Sequence, residues 1–413
     1  MRPAALTALT LTLAWALVRK GGARAEDLLP CLLAVSLLTV FYRLGAPRLA
    51  PPLRRTTALL LFSLPAVAAL ELLPLPAALV RVLSPARYEL EQAASVVTGR
   101  SGALTLSASP AAGFEALLTL LGCVLVFLLV RELSWSFPRA AAAPLIVLAV
   151  LEAALGVAQV YADPQDVTHG TFVNRDHFAF LLALCLPLPV CAGLACYGRR
   201  VAVACALFAG LAALLIAVVF SQSRMGFIAA LFGLAVAAAS AISRRAFPAL
   251  LVAAAVLFIL LPTGAMVGRF ADLASASEAS VVTRAALWRE TLPLLRDYPF
   301  AGCGLGAYES VMCRYKTVAP LNTADYAHND YLQLLAETGA AGFLPALALA
   351  VVLVVTAARR AVRRPRDARA WLASACLGSL AAILLHSFFD FSLHIPADAL
   401  AAAWVAGLAS APD

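Results

Sequence analysis

Residues 201–220 read VAVACALFAGLAALLIAVVF, twenty in a row without a charge. An α-helix needs about that many residues to cross the ~30 Å hydrocarbon core of a bilayer. The run is continuous rather than alternating, which favours a helix over a barrel strand. Arg199 and Arg200 precede it and SQSRMGF (221–227) follows it. The same pattern recurs at 4–18, 27–44, 57–76, 113–130, 141–161, 176–197, 225–243, 247–264, 340–358, 371–389 and 396–410. Composition agrees. The chain of 413 residues is 63% hydrophobic and only 13% charged, against ~25% charged in soluble domains, and its mean hydropathy is +0.90. In lipid, backbone polar groups must be satisfied within the span. The expected fold is therefore an all-α integral membrane protein of about 12 transmembrane helices, one polytopic domain over 1–413.

The net charge of +8 comes almost wholly from arginine. In a soluble chain this would suggest nucleic acid. Here the arginines sit in short loops, and the positive-inside rule accounts for them, so no nucleic-acid partner is expected. Arg43, Arg48, Arg54 and Arg55 mark one such loop, then Arg131 and Arg139, Arg199 and Arg200, Arg244 and Arg245. The richest carries Arg359, Arg360, Arg363, Arg364, Arg366 and Arg369. These loops alternate with the others, which assigns them to the cytoplasm. One loop disagrees: Arg19, Lys20 and Arg24 fall on the outer side. They also lie between the first apolar run and Ala23-Arg24-Ala25, which argues for an uncleaved first span rather than a signal peptide.

The remaining loops face out. The largest, 265–339, carries six basic and eight acidic side chains, so it is no broad anion attractor. Its length requires internal helices. One is expected from Thr283 to about Arg296, ended by Asp297 and Pro299; GCGLGAY (302–308) follows as a glycine-rich turn. A short helix over 307–316 and a third over YAHNDYLQLLAETG (326–339), stopped by Gly339, complete it.

Several residues there suit chemistry. Arg224 stands at the join of two apolar runs, among Ser221, Gln222, Ser223 and Gly226. It reads either as an interfacial snorkelling arginine or as a ligand site in a polar, close-packed turn. Arg284 lies near a helix start, where a cation is unfavourable unless an anion is close; Arg289 is a supporting candidate further along. A guanidinium fork suits phosphate. His328 shares a helix face with Tyr331, Leu332 and Leu335 by spacing, and imidazole is well poised for proton transfer near neutral pH. Asn329 and Asp330 beside it can orient the ring or shape the turn. GTFVNRDHFAF (170–180) brings Asn174, Arg175, Asp176 and His177 to the outer mouth of a span, as a polar cap or part of the site. His386, Asp390 and His394, spaced by four on roughly one helix face, read as a hydrogen-bonded structural cluster rather than a metal site. Of nine cysteines, Cys303 and Cys313 fall in the outer loop, where a disulfide is expected.

The order FSQSRMGF, TRAALWRETLPLLRDYPFAGCGLGAY, AHNDYLQLLAETGAAGFLPAL resembles the O-antigen ligase and Wzy-type polymerase superfamily, over roughly 165–410. GTFVNRDHFA and HSFFDFSLHIPADA look like further elements of one branch. The resemblance implies a metal-independent, inverting glycosyltransferase without cofactor, on the periplasmic face of the bacterial inner membrane, with a glycan on undecaprenyl diphosphate as donor. By the same resemblance, Arg224 and Arg284 hold the diphosphate and His328 activates the acceptor hydroxyl. The acceptor stays open between lipid A-core (ligase), a second lipid-linked repeat (polymerase) and a protein hydroxyl. From a different class, a lipid or glycan transporter is the rival reading, supported by Glu152 and Gln159 within a span.

Overall fold

A computed structural model describes residues 2–22, 25–45, 50–99, 103–163, 167–241, 279–317, 324–362 and 367–411. The expected span 247–264, the loop start 265–278, and Arg24, Arg48, Arg244, Arg245, Arg363, Arg364 and Arg366 lie outside the described residues.

Among the described residues the protein is all helical, with one isolated bridge between Leu75 and Leu104. The helices run α1 (Arg2–Val18), α2 (Ala25–Gly45), α3 (Arg55–Glu71), α4 (Ala77–Leu83), α5 (Pro85–Thr98), α6 (Pro110–Ser136), α7 (Pro138–Ala162), α8 (Arg175–Cys185) and α9 (Pro187–Cys196). Then follow α10 (Val201–Phe220), α11 (Arg224–Ala241), α12 (Ala279–Asp297), α13 (Tyr308–Met312), α14 (Asp330–Ala361), α15 (Ala368–His386) and α16 (Pro396–Ala409). Counting α8 and α9 as one span, eight among the described residues are long and apolar enough to cross a membrane: α2, α6, α7, α8–α9, α10, α11, α14 and α15. The expected runs 4–18 and 57–76 form helices of 17 residues each and 396–410 one of 14. A rise of ~1.5 Å per residue leaves these short of the hydrocarbon thickness. The protein is a multi-pass, all-α membrane protein.

The two ends of the bundle differ. One gathers Arg54, Arg131, Arg359, Arg360 and Arg369; Arg360 bonds the Ala409 carbonyl and Arg369 that of Trp135. The other carries α12, α13 and the loops around 170, 222, 328 and 390. The described part of the discordant loop, residues 19–22, lies at this second end, where Gly21 packs on Phe172 and Ile395. One of its charges is neutralised, since Arg19 Nε lies 2.6 Å from Asp27 Oδ1.

Small residues set the closest helix crossing. α11 and α15 meet at Gly233 and Gly378, where a Cβ on Gly233 would stand 2.8 Å from the Gly378 carbonyl oxygen. Backbones that close leave no room for side chains. Gly378→Leu is expected to destabilise the fold by about 1–3 kcal/mol, the usual cost of overpacking, read as a lower thermal midpoint in detergent; an unchanged midpoint would mean that this crossing adjusts freely.

The described parts of the long loop hold helices where they are expected, with shifted bounds: the first begins at Ala279 rather than Thr283, the second is only Tyr308–Met312 rather than 307–316, and the third begins at Asp330. Gly339 does not stop a separate helix. It breaks α14 (φ 57, ψ −163), and the span continues directly beyond it. The break frees backbone groups that the loop uses: Ala340 and Ala341 donate to the Pro299 and Phe300 carbonyls, both at 3.0 Å. Cys303 and Gly304 donate in turn to the Ala336 and Glu337 carbonyls at 3.0 and 2.8 Å. Gly302 and Gly304 have positive φ and lie too close to neighbouring backbone for any Cβ. GCGLGAY is thus the strap that locks the loop onto α14.

Glu152 and Gln159 have a structural task at the end of α7. Glu152 accepts from the Thr171 amide and hydroxyl at 3.0 and 2.8 Å. Gln159 exchanges two bonds with Gly170, at 2.6 and 2.9 Å. They pin the 168–172 loop, which removes their support for transport.

Candidate functional site

The site grows from the start of α14. Asn329 caps the helix, its side-chain oxygen accepting from the Leu332 amide at 3.0 Å. His328 therefore precedes the helix, and the helix-face reading with Tyr331, Leu332 and Leu335 is corrected: its φ is +50°. A histidine in the left-handed region is strained, and its neighbours hold it there. Trp288 of α12 donates to the Ala327 carbonyl at 2.9 Å, and the Ala327 amide donates to Gln333 at 2.8 Å. The Asp330 amide donates to the carbonyls of Ser387 and Asp390 at 2.8 and 3.1 Å.

That last pair brings in the loop after α15. His386, Asp390 and His394 do not share a helix face, because α15 ends at His386 and the chain turns through 387–391 into a short 3₁₀ turn, Ser392–His394. Their roles separate. His386 is buried against Phe180. Asp390 faces His328, its Oδ1 lying 3.3 Å from His328 Nδ1. It is 2% exposed against 35% for the histidine, so the carboxylate anchors a ring whose other side is open. His177 of α8 approaches the second oxygen, Oδ2, at 3.9 Å. Phe391 separates the rings, with His177 and His328 edge-on at 4.7 and 4.9 Å and Tyr326 stacked at 4.0 Å.

Asp390 is ionised despite its burial. Desolvation opposes the charge, but the His328 bond, the imidazoles of His177 and His386 and the Arg284 guanidinium outweigh it and hold the carboxyl well below the usual range. An ionised Asp390 assigns the proton of neutral His328 to Nδ1 and leaves Nε2 as a lone-pair acceptor.

A second acid–imidazole cluster sits behind the first. His394 Nδ1 bonds Asp330 Oδ1 at 3.0 Å, and its Nε2 lies 3.8 Å from Glu337 Oε2. Burial opposes protonation, but hydrogen bonds and charge from Asp330 and Glu337 push the His394 pKa up to about 10. His394 is therefore a cation that ties the 387–394 loop to α14.

The arginines come in from the other side. Arg284 lies on α12, with Nη2 3.9 Å from Asp176 Oδ2 at the mouth of α8. Arg224 opens α11 and is half-buried. Ser223 caps that helix, accepting from the Gly226 amide at 3.2 Å, and Ser221 accepts from the Ser223 amide at 3.2 Å. Gln222 takes a positive φ to make the turn. Gly226 packs so tightly on Ala179 that a Cβ would collide. Ala179 is one helical turn beyond Asp176, so Arg224, Arg284 and His328 all lie at the same end of the bundle.

The supporting candidates divide. Asn174 caps α8, accepting from the Asp176 amide at 2.8 Å, and Arg175 is half-buried at its first position. Tyr331 bonds the Leu384 carbonyl at 2.7 Å and braces α15 rather than His328. Arg289 is exposed on α12. The expected Cys303–Cys313 disulfide is absent: both thiols are free, Cys303 buried and Cys313 exposed. Cys303 packs under the glycine strap with Ala336, while Cys313 contacts the Ser310 carbonyl on the outer side of α13. Asp390, grouped in sequence with His386 and His394, is bonded instead to His328. HSFFDFSLHIPAD marked its neighbourhood, but nothing local in that stretch pairs it with a histidine 62 positions earlier.

The geometry defines a class: a multi-pass membrane protein with a carboxylate-held histidine, and with Arg284 and Arg224 at the same end of its bundle. A family model described as O-antigen ligase matches residues 209–347, a stretch that contains Arg224, Arg284 and His328. That match supports the O-antigen ligase and Wzy-type superfamily and, in general terms, an O-antigen ligase/polymerase-type membrane glycosyltransferase. Among curated proteins, none matches the chain.

Proposed function

We propose that the protein is a glycosyltransferase that moves a glycan from undecaprenyl diphosphate to an acceptor hydroxyl, at the periplasmic face of the bacterial inner membrane, in O-antigen or surface-polysaccharide assembly. The observation that carries this reading is the His328–Asp390 pair, open on one side and flanked by Arg284. Arg224 and Arg284 hold the diphosphate. His328 Nε2 takes the proton of the acceptor hydroxyl as its oxygen attacks the anomeric carbon. The bond from that carbon to the diphosphate oxygen breaks, and its electron pair leaves with the diphosphate. Attack from the opposite side inverts the anomeric carbon. The leaving group is already good, so what it requires is stabilisation of the developing charge by fixed guanidinium groups. A sugar hydroxyl, by contrast, is a poor nucleophile until a base takes its proton. Asp390 keeps the ring in the required tautomer, while His177 and Asn174 shape the mouth of α8 beside it.

Arg224→Lys is expected to lose transfer, because a single ammonium cannot copy a bidentate fork. Full activity of that variant would reduce Arg224 to an interfacial anchor. The acceptor is tested by reconstituting the purified protein with lipid-linked glycan and either lipid A-core, no further acceptor, or a serine- and threonine-bearing protein. The ligase reading expects product only with lipid A-core. Lengthened lipid-linked glycan in the second arm would make it a polymerase, and glycosylated protein in the third an oligosaccharyltransferase.

A further inference from the structure

The opposite end of the bundle holds a cavity of about 490 Å³ between α3, α6, α14 and the end of α16. Four arginines line it: Arg54, Arg131, Arg359 and Arg360, with no Asp or Glu among the lining residues. Arg131 belongs to α6 and is only 7% exposed. Its Nη2 donates to the Pro51 carbonyl at 2.6 Å, but its buried Nε has no hydrogen-bond partner among the described residues. An unpartnered guanidinium N–H in a buried place is costly, and the positive charge of Arg131 on the cavity wall favours an anion beside it. The neighbouring carboxylate, Glu132, does not line the cavity; it accepts from the Ala50 amide.

A second feature points the same way. α3 begins at this cavity with Arg54 at its cap position and no side-chain cap, and Thr56 and Thr57 of its first turn are on the wall. Uncapped first-turn amides at the positive end of a helix favour an anion. Apart from Thr356 and Ser410, the rest of the wall is apolar. Val351 and Val355 of α14 are 54% and 39% exposed and, with Leu53, lead from the arginines along the span. An anionic head above an aliphatic wall is the pattern of a phospholipid rather than of a free ion.

We propose that this cavity is a binding site for the phosphate headgroup of an anionic membrane lipid, with an acyl chain lying along α14. Basic pockets between spans suit such headgroups. The site is at the far end from His328 and involves none of the transfer machinery.

The test uses the full protein in detergent micelles, with native mass spectrometry scoring competition between phosphatidylglycerol and phosphatidylcholine of identical acyl chains. Wild type is expected to prefer phosphatidylglycerol. At roughly fivefold per arginine near a charged lipid, removing two by Arg54→Gln with Arg359→Gln should cut that preference by roughly 25-fold. Both side chains are exposed, so this variant should fold. The control is Arg199→Gln with Arg200→Gln, which removes the same charge elsewhere and should leave the preference intact. Equal binding of the two lipids by wild type, or equal loss in the control, would overturn the site. Displacement of phosphatidylglycerol by an equal concentration of glycerol phosphate would overturn its assignment to a lipid.

Discussion

His328→Ala is expected to lose glycan transfer by ~10²–10⁴-fold, the usual contribution of a general base, while still binding the lipid-diphosphate donor. The expectation rests on position. His328 is held by one ring nitrogen against a buried carboxylate, and its other nitrogen is on the open side. The arginines proposed to hold the donor belong to other helices, so removing the imidazole leaves them in place. Two measurements check it: product formed by purified variant in a bilayer, and donor retained by the same variant. Asp390→Asn should produce a smaller loss of the same kind, since an amide can turn its carbonyl or its NH₂ to the ring and no longer enforces one tautomer. Transfer at the wild-type rate by His328→Ala would remove the base from the mechanism.

His394→Gln has the largest expected effect on stability. The imidazolium lies between two buried carboxylates, Asp330 and Glu337. Removing one partner of a buried ion cluster costs about 3–5 kcal/mol, because the charges left behind stay desolvated. The effect carries a pH signature. The folded pKa is raised from 6.5 to about 10, so the stabilisation is complete below about pH 6.5 and fades as pH rises through 10. Thermal unfolding of wild type should therefore worsen between those values, and His394→Gln should lack that slope. Adding Glu337→Gln should recover part of the loss by deleting one of the stranded charges. A variant with the wild-type pH slope would show that His394 is neutral in the folded protein.

How far the chain could be read from its letters depended on the range of the interaction. Spans were legible because crossing a bilayer requires a local run of apolar residues, and eight of the expected runs appear as full-length helices. The runs at 4–18, 57–76 and 396–410 form helices of 17, 17 and 14 residues, shorter than the eight, since a run's hydropathy does not reveal where its helix caps fall. Arg224, Arg284 and His328 were legible as residue types suited to phosphate and proton chemistry. The register of His328 was not. Its spacing to Tyr331 and Leu335 fits a helix, yet Asn329 takes the N-cap and the helix begins only after it, leaving His328 outside. Asp390 was marked only as part of a structural cluster, because its pairing depends on the 387–394 loop folding back over the start of α14. Cys303 and Cys313 show the same limit: ten positions apart, one ends buried and the other exposed.

The central claim is that a new glycosidic bond forms at this site. The most direct measurement supplies purified protein in sealed vesicles with an undecaprenyl-diphosphate-linked glycan and a hydroxyl acceptor, then follows both the acceptor and the lipid. The account predicts glycan on the acceptor with inverted anomeric configuration, and one undecaprenyl diphosphate released for each bond made. Movement of intact donor between leaflets, with no new bond and no released diphosphate, would contradict it and make the protein a transporter.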